Sequence, residues 1–315
     1  MRGVPEKERG AALLAVLLLV AVIGGLAAAA VDRLRLSTAL ALNTAAIDQA
    51  RGFALGIESL LTMAADDVAV RSPEVTTLQG GWNGGVKEVA IPGGGIARGA
   101  VRDGANCFNL NSLASGDRPT ALTANPAGMQ QFAALMSAVG IDGIASRRVA
   151  ASAADWLDSD SVPQPGGAED ETYARLPQPY RAANTMFAEA SELRAVAGVT
   201  PEIYARLRPW ICALPSTEMS PVNLNTLAPE QAPLLAMLAP GRMSLGEARR
   251  LIESRPAAGW RRLPLDGLAQ AQLRTRWFAL DLRVAMKGAE LHETALVDAR
   301  IAPARIAVRR WGSED

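Results

Sequence analysis

Six carboxylates crowd the stretch DWLDSDSVPQPGGAEDETY: Asp155, Asp158, Asp160, Glu169, Asp170 and Glu171, with no Lys or Arg among them. Two kinds of chemistry are open to such a set. Paired carboxylates about 5–10 Å apart across a cleft hydrolyse glycosides. Clustered carboxylates also hold calcium, a hard cation that takes about six to eight oxygen ligands. A glycosidase cleft wants aromatic platforms for the sugar, and only Trp156 and Tyr173 lie near. A cation site and a solvated acidic loop both remain open on spacing alone. An exposed acidic run is ordinarily disordered, yet Trp156, Leu157, Val162 and Tyr173 are interleaved, which suits a segment that packs. The D-x-D-x-D-G pattern of an EF-hand is absent. For a calcium ion the expected ligands are Asp158, Asp160, Glu169 and Asp170, with Asp155 and the amide of Asn184 as additional ones. Asp155, beside Trp156, alternatively caps a helix.

Other chemistries have little to stand on. The one histidine, His292, sits in AELHETALV, an alternating stretch that reads as a strand. Zinc hydrolases usually need two or three histidines, and a Ser-His-Asp triad needs its histidine in a cleft. GGGIARG lacks the spacing and the strand–helix context of a phosphate-binding loop. With 32 basic and 32 acidic residues, net charge offers nucleic acid no bulk attraction. Cys107 and Cys212 are expected to pair if the chain is exported. Such a bridge closes a loop of about a hundred residues, nominally worth ~4–5 kcal/mol. The alternative is two buried thiols.

The elements that must position this loop begin with a greasy N-terminus. Ala11 to Val31 carries no charge, and as a helix it spans about 30 Å, enough to cross a bilayer core. Arg2, Lys7 and Arg9 precede it, which predicts a cytoplasmic leader and an exported remainder. A signal peptide cut near Ala28 to Ala30, an uncleaved anchor and a prepilin leader cut between Gly10 and Ala11 all compete. The third suits the helical pattern that continues to Asp66–Asp67. There Ile47, Phe53, Ile57, Leu60 and Leu61 fall on one face.

The rest divides into blocks. Residues 1–10 form the leader, 11–31 the membrane part of the helix and 32–67 its amphipathic continuation. Residues 68–108 hold short strands, Val86–Ile91 and Ile96–Val101, with Asn83-Gly84 a hairpin-turn signal. Residues 109–274 read as helices, in two modules of about 109–215 and 220–274, including one over PYRAANTMFAEASELRAVAG. Residues 275–315 alternate apolar with polar and read as antiparallel strands. An internal echo, NLNSLA at Asn109 and NLNTLA at Asn223, opens each module, and Ser112 or Thr226 is placed to cap the following helix. The second echo resembles a DNA-binding helix-hairpin-helix only in part, without a lysine cluster. A protein-contact module is the plainer reading.

ERGAALLAVLLLV, FNLNSLA, DWLDSD, GGAEDETY, PYRAAN, SELRAV, ALP and VNLNTLAP, in this order and spacing, resemble the minor pseudopilin K family of type II secretion systems (general secretion pathway protein K). The resemblance runs through nearly the whole chain. It implies an α+β fold: a pilin-like long N-terminal helix packed on a small antiparallel sheet, with a large all-α insertion. It implies calcium (Ca2+) in the acidic loop and no enzymatic activity. It further implies a place at the pseudopilus tip in a hetero-oligomer with minor pseudopilins I and J, processing by a prepilin peptidase, a single-pass helix in the inner membrane and a periplasmic head. Pilin-like subunits usually carry Glu at the fifth mature position, a costly charge in a membrane unless a neighbour pairs it. After a cut at Gly10 that position is Ala15, which suits a subunit with no neighbour ahead of it. A tip subunit of a related type IV pilus-like machine, and a membrane-anchored periplasmic calcium-binding module, are the other readings.

Overall fold

The computed structural model describes residues 6–71, 73–118, 121–264, 267–268 and 270–312. The first five residues of the expected leader lie outside them. Helix α1 runs Glu6–Arg71, about 100 Å at 1.5 Å per residue. The strands β1 (Lys87–Ala90) and β2 (Gly95–Asp103) follow it. The insertion contains β3 (Phe108–Asn109), β4 (Ala114–Ser115), β5 (Thr123–Ala124), α2 (Pro126–Ala138), α3 (Gly143–Asp155), α4 (Asp170–Tyr173), α5 (Pro201–Leu207), β6 (Ile211–Cys212), α6 (Ala232–Ala236) and α7 (Leu245–Glu253). The chain closes with β7 (Trp277–Met286), β8 (Ala289–Asp298) and β9 (Arg305–Trp311). One antiparallel sheet has the order β1-β2-β7-β8-β9, so the insertion leaves after β2 and returns beside it as β7.

The lower half of α1 lies on this sheet. Its buried stripe is mostly alanine: Ala50, Ala54, Ala65 and Ala69 are buried with Leu61, while Leu60 points outward and is 63% exposed. Small residues let the helix axis come close to the strands. At Gly99 an added Cβ would stand 2.9 Å from Leu61 Cδ1, so glycine there lets the helix seat. The expected apolar face is thus partly corrected: Leu61 belongs to the contact, Leu60 does not. The strands of 275–315 alternate as read, with Phe278, Leu280, Leu282 and Val284 turned to the core.

Three other expectations are corrected, the third of them in the N-L-N echo. Asn83-Gly84 does not turn a hairpin; the β1–β2 turn is Pro92-Gly93-Gly94, with both glycines at positive φ. Asn83 instead docks on β2, where its Oδ1 accepts from Asp103 N at 3.0 Å. The segment from Pro179 to Glu189 is irregular rather than helical, followed by a 3-10 turn over Ala190–Ala195. Its backbone amides are engaged elsewhere: Ala182 N donates to Asp170, Asn184 N to Trp156 and Phe187 N to Asn111.

The N-L-N echo is structural. In each copy the first Asn accepts from the backbone two residues on, Asn111 N to Asn109 at 3.2 Å and Asn225 N to Asn223 at 2.9 Å. The second Asn exchanges two bonds with one remote residue, Phe187 for Asn111 and Trp260 for Asn225. Ser112 and Thr226 do not cap the next helix; their hydroxyls bond back to the carbonyls of Asn109 and Asn223. Asn125 caps α2 instead. Both modules share one core, in which Phe108 stacks on Phe132 at 4.7 Å and Leu234 and Leu235 join. A disulfide joins Cys107 to Cys212 across 105 residues, at the parallel β3–β6 pairing.

Between α1 and the sheet lies a charge cluster with an imbalance. Glu58 of α1 and Glu293 of β8 are both buried, and Arg309 of β9 is the cation between them. Arg309 Nη2 is 2.8 Å from Glu58 Oε1, while Glu293 stands 3.5 Å from Arg309 Nε and has no hydrogen-bond partner on either oxygen. Burial, with the Glu58 carboxylate beside it, pushes Glu293 up to about 8. Burial opposes ionisation of Glu58 too, but Arg309 and the neighbouring Glu293 hold it below the usual range. The native state therefore binds a proton at Glu293 that the unfolded chain lacks between about pH 4.5 and 8, and stability falls as pH rises through that window. Glu293→Gln removes this linkage. Its melting temperature should match the parent near pH 4.5 and exceed it increasingly toward pH 8.5. A difference that does not change with pH contradicts the assignment.

Candidate metal centre

The acidic loop is built on the end of α3. Asp142 caps that helix, accepting from Ile144 N at 2.8 Å and Ala145 N at 3.1 Å. Past its last residue, Asp155, the chain turns tightly. The turn is pinned by Ser159, whose amide donates to Leu122 O and whose hydroxyl accepts from Leu122 N, both at 2.9 Å. Asp155 then ties the loop to itself: Gln164 N donates to Oδ1 at 2.9 Å and Ala168 N to Oδ2 at 2.7 Å. The double glycine is required here. Gly166 has φ +83°, and a Cβ on Gly167 would fall 1.9 Å from Asp155 Oδ2.

This clip brings Asp158, Asp160 and Glu169 together, with one oxygen of each within 4.8 Å of the others. Asp160 is exposed; Asp158 and Glu169 are buried. Both oxygens of Asp158 and Oε1 of Glu169 have no hydrogen-bond partner. Burial, with the charges of Asp160, Asp155 and Glu169 adding, pushes Asp158 up to about 7. Burial and Asp155 push Glu169 likewise up to about 7. Buried carboxylates without partners are costly, and a cation among them removes that cost. Every donor is oxygen, with no thiol or imidazole in the group, which fits calcium.

The remaining expected ligands lie differently. Asp155 has both oxygens on backbone amides, so it shapes the loop; it is the last residue of α3 rather than the cap at a helix start. Asp170 stands outside the group of three: Oδ1 accepts from Ala182 N at 3.0 Å, and Oδ2 is 3.9 Å from Arg181 Nε. Asn184 adopts φ +48°, unusual for a side-chain-bearing residue. Its amide donates to Trp156 O at 3.0 Å, and its Oδ1 is buried without a partner, as a further oxygen on this loop. Sequence reasoning did not find Gly167, although a Gly-Gly pair after a proline signals a tight approach. Nor did it find the aromatic wall: Trp156 packs edge-on to Tyr173 at 5.3 Å, and Tyr173 stacks on Tyr180 at 5.2 Å.

Comparison with known proteins gives one consistent result. Family models described as type II secretion system (T2SS), protein K match residues 106–216 and 222–276. Type II secretion system protein K of Pectobacterium carotovorum subsp. carotovorum is 32% identical over 98% of this chain and 97% of its own length. The Klebsiella pneumoniae protein of that name is 37% identical over 81% of this chain and 77% of its own. The crystal structure of the GspK-GspI-GspJ complex from the enterotoxigenic Escherichia coli type 2 secretion system contains a chain of similar fold. Its TM-score is 0.72 at 27% identity, over 85% of this chain and 97% of that one.

The three-carboxylate group yields a test with a crossover. In chelator, Asp158→Asn should melt no lower than the parent, because a buried repelling carboxylate is gone. In calcium the order should reverse, since only the parent gains the ion's binding energy, about 2.7 kcal/mol at a hundred times Kd. Terbium luminescence excited through Trp156 should appear in the parent and vanish in the variant. Equal melting of the parent in chelator and in calcium contradicts a metal centre.

Proposed function

This chain belongs to the type II secretion system protein K family, and from that premise we propose that it sits at the pseudopilus tip. There it initiates and caps assembly with minor pseudopilins I and J, for protein export across the outer membrane. The observation that carries this reading is the division of α1. Leucine and valine side chains from Leu13 to Val31 are exposed around the helix, while the half from Ala50 to Ala69 buries one stripe against the sheet. A helix apolar all round needs lipid or other helices about it. One such helix near the N-terminus fits a single-pass anchor carrying a globular part.

In finer terms, the anchor lies in the inner membrane with the head in the periplasm. Prepilin peptidase cuts between Gly10 and Ala11 and methylates Ala11; the chemistry is done to this chain, and it performs no catalysis itself. Ala15 then occupies the fifth mature position. Without a carboxylate there, the helix has no group for the terminal ammonium of a subunit ahead of it, which suits an end position. The related complex with GspI and GspJ supports the choice of partners. The insertion makes the head broader than the sheet alone, so it obstructs addition beyond it. Asp158, Asp160 and Glu169 would hold calcium, with Asn184 and Asp170 as further oxygens on the loop. The ion supplies positive charge that closes the acidic loop and stiffens the head.

Mass spectrometry of the mature N-terminus tests the pathway. The expected first residue is N-methylated Ala11 with α1 intact. A mature chain starting after Ala30 contradicts it, because the assembling helix is then lost.

A further inference from the structure

The outer side of the first module carries a surface that the tip reading does not use. On α2 the large apolar side chains, Phe132, Leu135 and Met136, turn into the core, as Val149 does on α3. What the two helices leave outside is small. Ala133 and Ala134 of α2 and Ala150 and Ala151 of α3 line an open groove of about 500 Å3, within the ~300–1,000 Å3 of ordinary ligand clefts. On α2 it runs from Met129 to Ser137, about 12 Å at 1.5 Å per residue. Pro165 of the acidic loop adds a wall. The Asp155 clip holds that wall through Gln164 N at 2.9 Å, so it stands without an ion.

One end of the groove is positive. Arg147 lines it and is exposed. A Cβ on Gly143 would stand 3.6 Å from Arg147 Nη1, so the guanidinium folds back over the start of α3. Among the described residues no carboxylate pairs with Arg147. Asp142, the acid of the turn between α2 and α3, is taken up in capping α3. The carbonyls that end α2 are taken as well: Leu135 O, Met136 O and Ser137 O accept from Val139, Ile141 and Gly140. Arg206 of α5 brings a second guanidinium to this turn, where its Nη1 donates to Gly140 O at 2.8 Å. Glu202, one turn earlier on α5, bonds Thr200. Beside Gly143, Ile144 is 73% exposed, which widens the apolar surface past the groove itself.

We propose that the groove between α2 and α3 docks an amphipathic helix of a partner protein, with a carboxylate of that helix on Arg147. Apolar side chains at i, i+4 and i+7 of a helix reach over ~10 Å, which matches the length of the groove. They rest on the alanine floor, and Ile144 meets the flank of the incoming helix. The guanidinium fork takes the carboxylate in geometry as well as charge. An acyl chain in so open a trough keeps one side in water and leaves Ile144 uncovered, whereas a helix covers both. The proposal stands independently of the tip position and of the metal centre, since the groove belongs to the isolated chain.

The test is fluorescence anisotropy on the full chain in lipid nanodiscs, read against empty discs. The probe is a labelled helical peptide with leucines at i, i+4 and i+7 and a glutamate at one end; a second peptide has Gln in place of that Glu. The parent should bind the acidic peptide, and the Gln peptide about three- to fivefold more weakly, as an exposed ion pair allows. In Arg147→Ala the two peptides should bind alike, which assigns the difference to that side chain. Ser137→Tyr, at an exposed position lining the groove, should weaken both by at least about tenfold through steric clash. Arg249→Ala, on α7 and paired with Glu253, should change neither. A parent that binds neither peptide, a Glu–Gln difference that persists in Arg147→Ala, or a Ser137→Tyr chain that binds like the parent overturns the proposal. So does oleate that displaces the peptide at equal concentration, which would make the groove an acyl site.

Discussion

A polypeptide that leaves a sheet between two hydrogen-bonded neighbours must bring its ends back to within one strand spacing, about 4.8 Å. Here β2 and β7 are those neighbours, and the whole insertion hangs between them. Half-buried Asp103, the last residue of β2, meets the need. It accepts from the hydroxyls of Thr275, just before β7, at 2.5 Å and of Thr226, in the second N-L-N copy, at 2.7 Å. Asn223 completes the joint: its side-chain amide donates to Thr275 and to Thr76 O, and its backbone amide to Asn106. One carboxylate therefore ties together the base, the exit of the insertion and the motif that organises its second module.

The consequence is mechanical. Because several side chains on both bodies share the joint, the head is fixed to the strands that carry α1 rather than swinging from a linker. The disulfide at Cys107 and Cys212 closes the first module just beyond the joint, and Arg310 with Glu189 makes a second tie at the far edge of the sheet. The acidic loop lies within that same head. Its three carboxylates repel one another, so the proposed ion would bear on the stiffness of the head and not on its attachment, which the joint at Asp103 makes without them.

Parts of this were legible in the residues because one physical signal dominated each. The strands β7 to β9 announce themselves by alternation, since one face meets α1 and the other does not. The acidic loop announces itself by density of charge without counter-charge. Where backbone amides are consumed by groups distant in sequence, local pattern misled: Pro179 to Glu189 has helical composition, but the side chains of Asp170 and Asn111 and the carbonyl of Trp156 take its amides. The contact stripe of α1 was obscured for another reason, because a close helix–sheet approach selects alanine, which carries almost no periodic signal. Asp103 looked like any strand-end acid, and Asp155 like any member of the acidic set. Their roles as joint and clip depend on partners far away in sequence, Thr275 above all.

The central claim is a place: a broad head mounted at the end of a filament through a helix shared with its neighbours. Electron microscopy of isolated pseudopili, with gold-labelled antibody raised against the insertion, tests it most directly. The account predicts label at one end of each filament. Label spread along the shaft would contradict it.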